Sequence, residues 1–262
     1  MLEVVMKRFL SLIFSLLLVS AMALPVQAQS LRDVINALEI PFRIETPAAA
    51  SVHDVEADFY QESTIASLNR TQQGSGKVTL RFDRPRTDKV PLVKFRWEYE
   101  RPTRQEIVSD GETMWVYIPE NNQVIQSDIS EVSEARPQDP MTFLTGLGNL
   151  SEDFFVKWAS PDRDEEGNYI IELEPRTTTS LFTRLEVVVD RYVVNDYVRE
   201  GVTGREFPIH ATVAVDPNDN RTMITFDRSS IRLNRGVSDF EFDFMMPAGV
   251  DVVRPSGDRM GY

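Results

Sequence analysis

The sequence predicts a mainly β protein, one strongly bent antiparallel sheet of about eleven short strands plugged on one side by two short helices. Three observations carry that expectation. From about Val55 to near the C-terminus the apolar residues recur with a period of two. Turn signatures rich in Asp, Asn and Gly separate the alternating runs. Hydrophobic residues make up 42% of a 262-residue chain, enough for a core of its own. Strand signals recur without a linker, so residues 29–262 are expected to form a single domain.

Residues 1–28 read as an export signal. Lys7 and Arg8 form a basic head, and the run from Phe9 to Leu24 is apolar or small. Pro25-Val26-Gln27-Ala28 places small residues three before and one before the bond to Gln29, so cleavage after Ala28 is expected. The competing reading is an uncleaved membrane anchor, but the run has only about 16 residues where a span needs ~20. The periplasm of a bacterium is the simplest destination.

Next comes an amphipathic helix. Leu31, Val34, Ile35 and Leu38 fall at i, i+3, i+4 and i+7, and Pro41 ends the stripe. A connector with Pro47 and Ala48 to Ala50 follows. In the strand region Val78, Leu80 and Phe82 alternate with polar residues, as do Val93, Phe95, Trp97 and Tyr99. Met114 to Ile118 is apolar on both faces. Further strands are read at Gln123–Ser127, Phe154–Trp158, Tyr169–Leu173, Phe182–Val189, Pro208–Val215, Thr222–Phe226 and Phe240–Phe244. Gly74-Ser75-Gly76 is expected to make a hairpin turn. A second helix is expected after Asp139-Pro140, an N-cap followed by proline at the first helical position, with Met141, Phe143, Leu144, Leu147 and Leu150 crowded upon it. Gly146 and Gly148 each weaken it by ~1 kcal/mol relative to Ala. An apolar but poorly stabilised segment suits a movable lid.

Composition excludes several function classes. With 28 basic against 41 acidic residues the net charge is -13, so the chain has no excess positive charge with which to condense on nucleic acid. The absence of Cys removes disulfides, thiolate nucleophiles and Cys-ligated zinc. The histidines, His53 and His210, stand in no ligand spacing, and no G-x-S-x-G elbow occurs. No cofactor and no metal are expected. Asp216, Asn218, Asn220 and Asp227 imitate a calcium loop, but Arg221 stands where that loop needs glycine. Asp162, Asp164, Glu165 and Glu166 read as a charged hairpin tip. What remains is a surplus of large apolar side chains, with fifteen Phe, seven Tyr, three Trp and nine Met. They fit either an ordinary core or a cavity for an apolar ligand.

Ile107-Val108-Ser109-Asp110-Gly111-Glu112-Thr113-Met114-Trp115-Val116-Tyr117-Ile118-Pro119, followed by Gln123-Val124, resembles the central hairpin of the periplasmic outer-membrane lipoprotein carrier family, LolA. Phe59-Tyr60-Gln61, Gly74-Ser75-Gly76, Arg84-Pro85 and Phe95-Arg96-Trp97 follow that family's order. The ending Phe240-Glu241-Phe242-Asp243-Phe244 with Met246-Pro247-Ala248-Gly249-Val250-Asp251-Val252 is similar to its "F-x-F-x-x-P-x-G-V-x-V" pattern. The segments 41–51 and 86–90 look like insertions.

The resemblance implies an unclosed antiparallel β-barrel with a helical lid, a monomer and not an enzyme, which holds the acyl chains of lipoproteins. Such a carrier takes acylated lipoproteins from an inner-membrane ABC transporter and passes them to an outer-membrane acceptor. On that reading Phe95, Trp97, Met114, Trp115 and Tyr117 supply the cavity wall. Leu31, Val34, Ile35, Leu38, Met141, Phe143, Leu144 and Leu147 supply the lid. An arginine ties the lid shut, Arg84 by its proline neighbour, with Arg96 as competitor. The related acceptor is itself lipidated on a Cys, which this chain lacks. A periplasmic lipid- or lipoprotein-sensing regulator with the same half-barrel is the alternative, and an esterase or glycosidase a third reading without a motif.

Overall fold

Alternating runs pair here into one sheet whose two ends stay apart. The computed structural model describes residues 29–84, 92–128, 147–148, 150–176 and 183–254, and every strand and helix belongs to the unit Leu31–Tyr262. The strands in chain order are β1 (Asp54–Ile65), β2 (Arg70–Asp83), β3 (Leu92–Arg101), β4 (Gln105–Ser109), β5 (Thr113–Ile118) and β6 (Gln123–Asp128). They continue with β7 (Phe154–Arg163), β8 (Tyr169–Pro175), β9 (Arg184–Val189), β10 (Ile209–Val215), β11 (Arg221–Phe226), β12 (Arg232–Leu233) and β13 (Asp251–Val253). Across the sheet they run β13-β6-β5-β4-β3-β2-β1-β11-β10-β9-β8-β7, with β12 also on β1. All pairings are antiparallel except β13 with β6, which is parallel.

The sheet is bent. Strands three places apart in a flat sheet lie about 14 Å apart. Yet Trp97 on β3 and Phe226 on β11, three places away, have ring centroids 6.3 Å apart. One face therefore curls around a shared apolar layer that draws on β1, β2, β3, β5, β8, β9, β10 and β11.

Among the described residues three α-helices accompany the sheet: α1 (Leu31–Glu39), α2 (Leu150–Asp153) and α3 (Arg191–Glu200). The predicted stripe of α1 holds. Val34 and Leu38 are fully buried, while Leu31 packs partly buried on the same layer. A 3₁₀ turn, Ile40–Phe42, ends α1 at the proline and drives Phe42 into the core. Met141, Phe143 and Leu144 of the second expected helix lie outside the described residues. Leu147 at its end is buried, and Gly148, with φ of +109°, passes the Phe42 backbone so closely that a Cβ would stand 3.3 Å from its oxygen.

Three sequence expectations are corrected. Gly74-Ser75-Gly76 lies inside β2, and the β1–β2 hairpin turns instead at 66–69, with Asn69 left-handed at φ 45°. The glycine serves a close approach: a Cβ on Gly76 would sit 1.9 Å from the Glu98 carbonyl oxygen of β3. Phe240–Phe244 is not a strand. A 3₁₀ turn, Asp239–Phe242, opens there with Ser238 Oγ accepting from the Phe240 N–H, and the ladder is joined later by β13. The third correction is α3, a helix where the sequence shows none. Asp190 caps it through the Tyr192 N–H at 2.7 Å and Gly201 closes it at φ 66°, but Tyr192, Val193, Val194 and Val198 are residue types that favour strands and disguise the helix. α3 packs against α1.

Candidate functional site

The inner face is built by alternation. Val55, Ala57 and Phe59 of β1 stand opposite Leu80, Val78 and Gly76 of β2. Leu80 and Val78 in turn face Phe95 and Trp97 of β3, and Phe95 faces Ser109, which faces Met114 of β5. Directly paired residues share a face, so Phe95, Trp97 and Met114 belong to one wall, and all three are buried. Aromatic rings tile it: Phe59 lies 4.6 Å from Trp97, Phe226 5.4 Å from Phe207, and Phe42 of the α1 extension 4.7 Å from Phe82. The wall is covered by α1, which adds Val34, Ala37 and Leu38, and by Leu147 and Leu150. Within this layer the Trp97 indole N–H is buried without a hydrogen-bond partner.

Trp115 and Tyr117 are not on that wall. Strand alternation sends them to the opposite face from Met114 and Val116, and Phe244 packs on them there, at 5.8 Å from Trp115 and 6.3 Å from Tyr117. Expecting Met114, Trp115 and Tyr117 to line one cavity conflicts with the strand's period of two. The aromatic pair instead lies under an outer strap formed by 238–253, on the face that also holds the buried Val108 and Val124, and the strap's own Phe242 is buried.

The two arginines divide between these faces. Arg84 donates to the carbonyls of Pro41 at 3.2 Å and Thr46 at 2.9 Å, fastening the connector that follows α1. Its Nε is buried without a partner, and burial lowers its pKa, an effect that neighbouring Glu45 partly offsets. Arg96 donates to the carbonyls of Glu241 at 2.6 Å and Asp243 at 3.3 Å and pairs with Glu106, so it holds the strap. A further tie, not expected from sequence, is Glu39. This carboxylate, 2% exposed at the end of α1, pairs with Arg43 at 2.6 Å and accepts the Ser151 N–H of α2 at 3.3 Å. The signal was present in the i, i+4 spacing of Glu39 and Arg43.

The acidic tips that imitate ligand sets are spent on turns. Asp216 accepts the N–H groups of Asn218 and Asn220 and the Asn220 amide, and Asp164 accepts the N–H and amide of Asn168. Asp227 caps its own turn through Ser229, whose hydroxyl and N–H hold its pKa below the ordinary value. Among the described residues no group of three or more acidic, His or Cys side chains is arranged to hold a metal.

What the arrangement can do is cover apolar matter: one open sheet, a dry inner wall, and a short helix fastened by a few side chains. Comparison with known proteins is consistent with it. Residues 50–245 match the family model described as outer membrane lipoprotein carrier protein LolA. The chain is 30% identical to an outer-membrane lipoprotein carrier protein of Nitrosospira multiformis over 76% of its own length and 81% of the relative's. It is 28% identical to the protein of that name from Chromohalobacter salexigens, over 79% of this chain and 83% of the other. A solved LolA superfamily protein from Nitrosomonas europaea aligns with a TM-score of 0.42 at 11% identity, over 83% of this chain and 99% of that one. The chain belongs to the outer membrane lipoprotein carrier protein family, LolA.

Proposed function

We propose that this protein carries acylated lipoproteins across the periplasm, sheltering their acyl chains against the inner wall of the sheet. The observation that carries the reading is the wall itself: a continuous apolar layer on an unclosed sheet, covered by a nine-residue helix in place of a second sheet. Family membership supports it, since the relatives are named as lipoprotein carriers.

The physical need is large. Three chains of ~15 methylenes at ~0.8 kcal/mol each come to roughly 36 kcal/mol when fully exposed, so unassisted passage through water is negligible. Release must follow without a nucleotide, which requires a covering that is only marginally stable. In the structure α1 and the aromatic tiles fill the wall, so the chains enter as α1 and its connector swing off, with Arg84 and Glu39 holding them in the closed state. Phe95, Trp97 and Met114 then line the exposed wall, and Leu31, Val34, Ile35, Leu38, Met141, Phe143, Leu144 and Leu147 form the movable cover. In this reading the mature protein begins at Gln29 as a single domain and a monomer. It takes cargo from an inner-membrane ABC transporter and gives it to an outer-membrane acceptor.

Displacement of a fluorescent fatty acid from the mature protein by a synthetic triacylated lipopeptide tests this. Full displacement at near one-to-one stoichiometry is expected, and Phe95→Glu should lose both ligands while keeping its far-ultraviolet circular dichroism. A folded wild type that binds neither ligand would end the proposal.

A further inference from the structure

At one point the sheet forks. β1 pairs with β11 from Phe59 to Thr64 but with β12 at Val55 and Glu56, and the chain leaves the ladder between Phe226 and Arg232. On the other side β10 begins at Ile209, whereas its first partner on β11 faces Ala211. Between the parted prongs opens a cleft of about 540 Å³, the size of a small-ligand site. Its floor is apolar, with Phe207, Ile209 and Leu233, and its lining includes Arg205, Arg232 and Arg235.

The charge here runs against that of the whole chain, which is -13. Of the two acids in the cleft, Asp190 is already paired with Arg228 at 2.5 Å, leaving Glu206 against the three other arginines. Outside the cleft, Glu200 reaches Arg205 at 3.6 Å, a long contact between two exposed side chains. His210, also in the lining, has its Nδ1 shielded from solvent and without a hydrogen-bond partner. The floor is continuous with the inner wall: Phe207 lies 5.4 Å from Phe226, and Phe226 6.3 Å from Trp97.

We propose that this cleft binds the phosphate headgroup of an anionic glycerophospholipid, whose acyl chains pass Phe207 into the inner wall. The proposal rests on the acyl-carrying reading and extends it to a second class of cargo. Guanidinium groups match phosphate oxygens in charge and in paired donor geometry. The apolar floor offers nothing to an acidic peptide but does accept a chain. The neutral thioether and amide links of a lipoprotein's acyl anchor would leave the arginines unused.

Calorimetric titration of the mature protein with monomeric dihexanoyl-phosphatidylglycerol, dihexanoylglycerol and inorganic phosphate decides it. The phospholipid should bind at least about ten-fold tighter than either of the others. In Arg205→Gln/Arg235→Gln, where both replaced side chains are exposed, that advantage should vanish while displacement of the fluorescent fatty acid by triacylated lipopeptide is unchanged. Equal phospholipid affinity in variant and wild type would overturn the proposal. So would inorganic phosphate binding as tightly as the lipid, since the cleft would then be a site for the free oxyanion. Failure of the acyl-carrying reading would show separately, as loss of lipopeptide displacement in the wild type.

Discussion

Arg84 and Arg96 look alike in sequence, each beside a family motif, and only their acceptors tell them apart. Arg84 serves two carbonyls of the connector after α1, and Arg96 two carbonyls of the strap. Removing a charged donor forfeits about 1.5–3 kcal/mol per bond. Arg84→Ala should therefore speed amide exchange in 41–52 and α1 by about ten-fold or more while leaving 238–253 protected, and Arg96→Ala should do the reverse. Exchange read by mass spectrometry checks both; identical patterns would mean that neither arginine acts locally. Gly76 is a second single-residue dependence. With a Cβ placed 1.9 Å from the Glu98 carbonyl oxygen, Gly76→Ala must push β2 and β3 apart, and a loss of about 1–3 kcal/mol in denaturant unfolding is expected. At this scale little is legible in advance: the two glycines at 74 and 76 read as a turn because their neighbour on β3 is invisible along the chain.

Whole elements are more legible where their pattern is long. α1, with its stripe and its terminating proline, and the alternating runs of β2 and β3 follow directly from spacing. The two- and three-residue strands β12 and β13 are too short to show any period, and α3 carries Tyr192, Val193, Val194 and Val198, residue types that favour strands. Phe240, Phe242 and Phe244 keep their period of two without being a strand, because the first is 81% exposed and only the second is buried. The strap they belong to is held by charge as well as by rings. The Lys94 ammonium sits 2.7 Å from the Asp239 carboxylate, and that hydrogen bond keeps Asp239 below its ordinary pKa of 3.8 and raises Lys94 above 10.5. A depressed carboxylate contributes above its ordinary value and stops contributing as pH falls through its lowered one. A raised ammonium contributes below its ordinary value and stops as pH rises through its raised one. Strap protection should accordingly stay level across neutral pH and fall at both extremes, with Asp239→Asn removing the acid limb; nuclear magnetic resonance of the Phe240 and Phe244 rings would follow it. A strap whose acid limb survives in Asp239→Asn would point to another carboxylate.

For the molecule as a whole, the bend of the sheet and the existence of a dry face are legible, but which residues lie on that face is not. Period two names two sets without saying which is inside, and here the wall takes Phe95, Trp97 and Met114 while the strap takes Trp115 and Tyr117. The separation gives each face its own reporter. In a variant keeping Trp97 alone, uptake of triacylated lipopeptide should shift the emission and reduce quenching by acrylamide, whereas a variant keeping Trp115 alone should respond weakly. Equal responses would mean that cargo reshapes both faces.

One arrangement reaches beyond any single residue. Among the described residues the β7 border and the β13 border are not joined to each other, so the ladder ends in two separate hems. A closed barrel must break backbone bonds to widen, whereas this sheet can change its girth along the seam with every rung intact. Cargo of different thickness, from one acyl tail to three, can then be gripped by the same wall through a change of curvature.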